Sequence, residues 1–178
     1  MVSIFAITIL ISGLISLGSE ELMASSNIVV AFLVLLAIVM LGIVFDVVGV
    51  AVTSADEKPF HSMAARKVKG SQEAIQLLRN AEKVGSICND VVGDICGVVS
   101  GSAAATIAAQ VLSNFEFSWP RLVTLAMSAL VAGMTVGGKA IGKTYAVNSA
   151  TTIVHMVGKL IFWFKHLPTV FSNQKIKR

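Results

Sequence analysis

Three carboxylates stand inside segments that are otherwise apolar enough to cross a lipid bilayer. They are Asp46, Asp90 and Asp94, and the four-residue spacing of the last two places them on one face of a helix. A charged side chain at the centre of a bilayer costs roughly 2.5–3.5 kcal/mol on insertion scales, so it normally faces protein or water and has a partner. Lys139 and Lys143 repeat the four-residue spacing in a later segment. The pattern predicts either a cation site or a layer of ion pairs between helices.

The position of these residues along the chain predicts that they lie at one depth. At a rise of 1.5 Å per residue, the three aspartates lie roughly 10–18 Å along a helix from the basic stretch at 54–83. Carboxylate and amide oxygens suit hard cations such as Mg²⁺ or Na⁺. The alternative is that aspartates and lysines simply neutralise each other between helices. The predicted layer, in the cytoplasmic half of a helix bundle, contains Asp46, Asn89, Asp90, Asp94, Lys139 and Lys143.

The composition indicates an integral membrane protein. Of 178 residues, 55% are hydrophobic and only 13% are charged, and the mean hydropathy is +0.81, whereas soluble domains carry about 25% charged residues. The net charge of +4 comes from basic residues near helix ends, which favours membrane lipids over nucleic acid as partners. No phosphate-binding loop and no Ser/His/Asp order is present, so no enzyme activity is predicted. Cys88 and Cys96 are predicted to be free thiols.

The apolar segments predict an all-α, polytopic membrane protein of about four transmembrane helices, with interfacial belt helices on the cytoplasmic side. Between the second and third spans, Pro59 and Gly70 indicate two short belt helices within 58–80, the second capped by Ser71. The fourth span is predicted to pass through a Gly-rich turn into Lys139, and a further surface helix begins near residue 146. The predicted spans are 1–17, 27–53, 84–112 and 122 to about 136.

The distribution of Lys and Arg predicts the orientation. The stretch 54–83 and the basic tail 166–178 are expected in the cytoplasm, and the loops 18–26 and 113–120 outside, so both termini of this multi-pass cell-membrane protein are cytoplasmic. Glycines recurring every four residues predict close helix packing, within one chain or between two. These glycines are Gly93, Gly97 and Gly101, Gly133 and Gly137, and Gly138 and Gly142.

Several short strings resemble the transmembrane domain of the CorC/CorB/cyclin M (HlyC/CorC-type) magnesium transporter family. The string that begins Phe45-Asp46 stands where that family has Phe-Ser-Gly-Ser-Glu, and Cys88-Asn89-Asp90 stands near its Gly-Asn-x-Leu-Val-Asn. The string from Gly138 to Thr144 corresponds to its Gly-Glu-x-x-Pro-Lys-Thr, with Lys139 in place of the family Glu. The resemblance covers 27–165, preceded by an additional N-terminal helix and outside loop at 1–26.

The resemblance implies a homodimer that binds dehydrated Mg²⁺, exchanged for Na⁺, in an acidic cavity open to the cytoplasm. The implied metal ligands, carried over by position, are Asp46, Asn89 and the backbone at Gly138. The four-residue spacing described above adds Asp90 and Asp94 to the predicted ligands. No segment here corresponds to the family's CBS-pair domain, so a separate regulatory chain is one expectation. The alternative expectation is a non-transporting structural or regulatory partner whose Asp–Lys layer stabilises a helix-packed dimer.

Overall fold

The computed structural model describes residues 9–18, 21, 26–114 and 119–172, with side chains up to residue 166. Within this part of the chain every regular element is a helix, which confirms the all-α prediction for these residues. The elements are α1 Ile9–Gly18, α2 Ile28–Ser54, α3 Lys58–Ala65, α4 Ser71–Arg79, α5 Ala81–Ser86, a π-helix Ile87–Gly93, α6 Asp94–Asn114, α7 Pro120–Asn148 and α8 Ala150–Ser172.

Three of the described helices are long and apolar enough to cross a membrane, which is compatible with a membrane protein. They are α2, the continuous helix Ala81–Asn114, and α7. The first predicted span, 1–17, is not confirmed, because 1–8 lie outside the described residues. Its described part, α1, would be about 15 Å long, half of a hydrocarbon core of about 30 Å.

The chain divides into two compact units. The first unit contains Met1–Asp46 and Cys88–Gly142, and the second contains Val47–Ile87 and Lys143–Arg178. Helices α2 and α7 each contribute residues to both units. The residues singled out by the sequence fall mostly in the first unit, whereas the predicted belt helices fall in the second.

The core of the first unit is built from α2, α6 and α7. Small side chains on α6 allow α2 to come close, and an added Cβ at Gly42 of α2 would lie only 2.8 Å from the Cβ of Cys96. Cys96 and Cys88 are both buried free thiols, as predicted. The buried core residues are Ala31, Leu35 and Val39 of α2, Ala103, Ala104 and Ile107 of α6, and Val131 of α7.

Only some of the glycines that recur every four residues pack closely against other helices. Gly93 and Gly138 do pack against other helices, and an added Cβ at Gly138 would meet the side chain of Ile43. Four others make no such contact among the described residues, so their role between two chains stays a prediction. At Gly97, Gly101, Gly133 and Gly137 an added Cβ would meet no atom within 4 Å.

Helix α7 runs without interruption from Pro120 to Asn148, so the predicted Gly-rich turn before Lys139 is wrong. A glycine inside a helix costs only about 1 kcal/mol relative to alanine, so glycines at these positions do not by themselves end α7. The break in the chain comes later, at Ser149, after which α8 begins at Ala150.

The second unit is formed by short helices packed on α8. Helix α3 packs on α4, and α4 packs on α8. Phe60 of α3 is fully buried, beside Ala74 and Ile75 of α4 and Val154 of α8. The two predicted helices within 58–80 are therefore confirmed as α3 and α4, and Pro59 lies in the first turn of α3 as expected.

Gly70 makes the turn between α3 and α4. Its φ of +84° lies in the left-handed region, where glycine is favoured. An added Cβ would lie 2.6 Å from the backbone nitrogen of Lys159, so the turn contacts the α8 backbone directly. Ser71 is not the cap that the sequence indicated. It is the first residue of α4, and its hydroxyl donates a 2.6 Å hydrogen bond to the carbonyl of Val68 instead.

Candidate cation-binding layer

The long apolar helix Ala81–Asn114 changes its geometry part way along. Its residues Ile87–Gly93 form a π-helix, which carries Asn89 and Asp90 and ends at buried Gly93. In a π-helix each N–H bonds the carbonyl five residues back, and such segments are frequent at functional sites. Two of the polar residues predicted for the layer therefore lie on the irregular part of this helix.

Gly93 is the point at which a cation and an anion come together in the first unit. The Lys139 Nζ donates a 3.1 Å hydrogen bond to the Gly93 carbonyl oxygen. A Cβ added to Gly93 would lie 3.3 Å from that Nζ and 4.0 Å from Oδ1 of Asp46. Asp46 is only 3% exposed. We call Asp46, Gly93 and Lys139 the Gly93 layer; they come from α2, the π-helix and α7.

The electrostatics of the Gly93 layer follow from burial. A buried carboxylate is stable only with a compensating charge and hydrogen bonds, and the ammonium of Lys139 brings a positive charge to the same glycine as Asp46. A carboxylate and a backbone carbonyl are oxygen ligands for hard cations. The Gly93 layer can thus hold a positive charge beside an otherwise apolar stretch of α2. In this structure that positive charge is the ammonium group of Lys139.

Asn89 has an unusual environment on the π-helix. Its Oδ1 is buried and accepts no hydrogen bond from any residue that the structure describes. Leaving a buried polar oxygen unpaired costs about 1–3 kcal/mol. A ligand that approached this oxygen would recover that free energy; the role of Asn89 as a ligand stays a prediction.

The other predicted ligands lie elsewhere. Asp90 and Asp94 are both exposed, so they do not belong to the buried layer, and Lys143 falls in the second unit. Gly138 lies inside α7 against Ile43, where its close packing is evident. Across the described residues, no three His, Cys, Asp or Glu side chains are close enough together to hold one metal ion. The structure therefore places Asp46 and Lys139 beside Gly93 and does not bring the full predicted ligand set together.

Sequence reasoning missed the Gly93 carbonyl as a functional group. The sequence singled out Gly93 for helix packing alone. Every residue has a backbone carbonyl, so residue type does not indicate which carbonyl accepts a hydrogen bond from a lysine. The available signal was the small and polar run Cys88–Asp94 inside an apolar span, which coincides with the π-helix. The resemblance to the CorC family rests on its short strings, since no protein-family model, no curated protein and no solved structure matches this chain.

Proposed function

We propose that this chain binds a metal cation within the membrane and carries it across. Mg²⁺ is the substrate that the resemblance favours, with Na⁺ as a second cation. The observation that carries the proposal is the Gly93 layer, in which the Gly93 carbonyl accepts a hydrogen bond from the Lys139 ammonium and a buried carboxylate lies beside the same glycine. Oxygen atoms of these types are the ligands that hard cations take. The proposal assigns no covalent chemistry to the protein.

The proposed path uses the exposed and the buried acids in turn. Asp90 and Asp94 meet the cation at the protein surface, and Asp46 and Asn89 hold it at greater depth, with the Gly138 backbone nearby. The ammonium of Lys139 and an arriving metal ion repel each other, so they compete for Asp46. Because a lysine stem is long and flexible, the ammonium can withdraw towards lipid headgroups when the metal binds.

The proposal also includes the membrane topology. We infer that 1–17 adds a fourth span, that both termini are cytoplasmic, and that the protein is a multi-pass protein of the cell membrane. The distribution of Lys and Arg supports this orientation. We further propose a homodimer, supported by glycines on α6 and α7 that no other described residue covers, and a separate regulatory chain.

Mg²⁺ flux into proteoliposomes tests the transport function. Asn89→Leu is expected to lower the flux by about tenfold or more, because even changes outside the ligand shell typically cost 10–100-fold in metal affinity or activity. The flux is measured with a Mg²⁺-sensitive dye enclosed in the vesicles. Gln110→Leu is the matched control, since Gln110 is an amide in the same long helix but lies outside the π-helix.

The wild-type protein must give more flux than empty vesicles for the proposal to stand. Equal loss of flux in the Asn89 and Gln110 variants would indicate general damage to the helix and would remove Asn89 from the proposed path.

A second candidate function is that of a non-transporting structural or regulatory partner. It is favoured by the Lys139 side chain, whose positive charge already bonds the Gly93 carbonyl. In this case the Gly93 layer holds α2, the π-helix and α7 together, and no metal ion replaces the ammonium.

Lys139→Met separates the two candidates. If a metal ion and the ammonium compete, the variant should show a larger Mg²⁺-dependent rise in unfolding temperature than wild type. Differential scanning fluorimetry of the purified protein in detergent measures this rise, with Ca²⁺ and Na⁺ as comparisons. Lys143→Met removes the same charge from an exposed position on α7 and should respond like wild type. An unfolding temperature of Lys139→Met that does not respond to Mg²⁺ would favour the structural role.

A further inference from the structure

Two adjoining cavities lie in the second unit, where the turn between α3 and α4 meets α8. The first has a volume of about 320 Å³, and its polar lining includes Lys67, Glu73 and His166. The second has a volume of about 420 Å³ and follows α8 past Met156 and Trp163. Lys69 and Phe162 line both cavities.

The fold holds the border between the cavities in a fixed geometry. Gly70 approaches the α8 backbone so closely that an added Cβ would lie 2.6 Å from the nitrogen and 2.7 Å from the Cα of Lys159. Gly158 in turn packs against the Gly70 carbonyl oxygen and lies beside Ala74 of α4. This contact brings the backbones of Lys69 and Lys159 close together, and both residues line the second cavity.

The two cavities differ in chemistry. The first combines two lysines, an amide, a carboxylate and a histidine, whereas the second is mainly apolar apart from its lysines. Met156 and Trp163 are each 60% exposed, and Leu160 between them is 53% exposed. An extended apolar surface of this kind marks an interaction site in a soluble protein and a lipid contact in a membrane protein. A ligand that fills both cavities must be amphiphilic.

We propose that this is a binding site for one anionic phospholipid whose headgroup carries hydroxyl groups, as in phosphatidylglycerol. The phosphate lies between Lys69 and Lys159, and an acyl chain lies along Met156, Leu160 and Trp163. Glu73 would repel a headgroup with a second negative charge, but its carboxylate can accept hydrogen bonds from headgroup hydroxyls. The site is independent of the Gly93 layer, since every residue that lines it belongs to the second unit.

Charge and location favour a lipid as the occupant. Each lysine near an anionic membrane surface contributes about 1 kcal/mol of attraction, and three lysines line the two cavities together. The long apolar helices of this chain are compatible with a position at a bilayer, where phospholipids are abundant and free phosphate esters must come from solution. Trp163 is a residue type enriched at the boundary between headgroups and acyl chains.

Native mass spectrometry of the full chain in detergent tests the site. Wild-type protein should retain one phosphatidylglycerol molecule and should prefer it to phosphatidylcholine. Lys69→Gln combined with Lys159→Gln should weaken this binding roughly tenfold or more, because two phosphate contacts are lost. Lys58→Gln combined with Lys83→Gln removes the same charge from the same unit outside both cavities, and this control should bind like wild type.

Three outcomes would overturn the proposal. Equal weakening in both double variants would show general attraction to basic surface residues. Equal retention of phosphatidylcholine by the wild-type protein would show that the phosphate contacts give no selectivity. If inorganic phosphate or short-chain phosphatidylglycerol raised the unfolding temperature as much as the long-chain lipid, the site would bind a soluble phosphate compound. The last two measurements use wild-type protein, so they test the proposal even if a variant fails to fold.

Discussion

Asp46→Asn is expected to lower the free energy of unfolding by roughly 3 kcal/mol, because the change removes the buried negative charge that lies at the same glycine as the Lys139 ammonium. Removing one member of a buried ion pair costs about 3–5 kcal/mol, and the low end applies because Lys139 is only half-buried. Asparagine keeps the volume of aspartate, so the loss reports charge and not a cavity. Unfolding with dodecyl sulfate in mixed micelles, followed by circular dichroism, measures the difference.

Asp94→Asn is the matched control for this prediction. Asp94 is exposed at the start of α6, and exposed substitutions usually stay within about 0.5 kcal/mol. Combining Asp46→Asn with Lys139→Met should recover part of the loss, with a coupling of about 1 kcal/mol or more. Equal effects at Asp46 and Asp94, or strictly additive effects at Asp46 and Lys139, would contradict the charge compensation described for the Gly93 layer.

Gly70→Ala should cost roughly 3 kcal/mol in the free energy of unfolding. A side chain at positive φ costs about 1–2 kcal/mol, and φ at Gly70 is +84°. Forcing an extra carbon into a packed contact adds about 1–3 kcal/mol. Here the obstructing atoms are the Lys159 backbone nitrogen and Cα, which cannot move aside by a change of rotamer. The same mixed-micelle unfolding gives the loss, and easier proteolysis at the turn between α3 and α4 should accompany it.

Gly101→Ala supplies the contrast, since an added Cβ there would meet nothing within 4 Å and the position lies inside α6. This change should be neutral or stabilising by up to about 1 kcal/mol, the difference in helix propensity. If Gly70→Ala were as well tolerated as Gly101→Ala, the close contact of the α3–α4 turn with α8 would not exist in solution.

The long helices and the belt helices could be predicted from the sequence because local signals determine them. Uninterrupted apolar stretches gave α2 as 27–53, against the observed Ile28–Ser54, and the third predicted span as 84–112, against Ala81–Asn114. Proline near the start of α3 and glycine before α4 located two helices of the second unit. These signals act within a few residues, so helix positions can be predicted from them without knowledge of the tertiary structure.

The site was harder to predict, because its geometry depends on contacts between distant residues. Asp90 and Asp94 were placed on one face by α-helical spacing, but Asp90 lies in the π-helix, where that spacing does not hold. The turn predicted in α7 failed because glycines are tolerated inside helices that pack in a water-poor environment. The sequence allowed several Asp–Lys combinations, and the packing around Gly93 is what brings Asp46 and Lys139 to the same glycine.

The Gly93 layer also has a consequence for how the chain is made. Translation completes α2 long before the ribosome reaches α7, so Asp46 leaves the ribosome well ahead of Lys139. During that interval the carboxylate has no ammonium group nearby, and burial in lipid would be unfavourable. Asp46 is then expected to stay outside the hydrocarbon until α7 is available. The packing of the first unit around Gly93 can therefore be completed only after α7 has been synthesised.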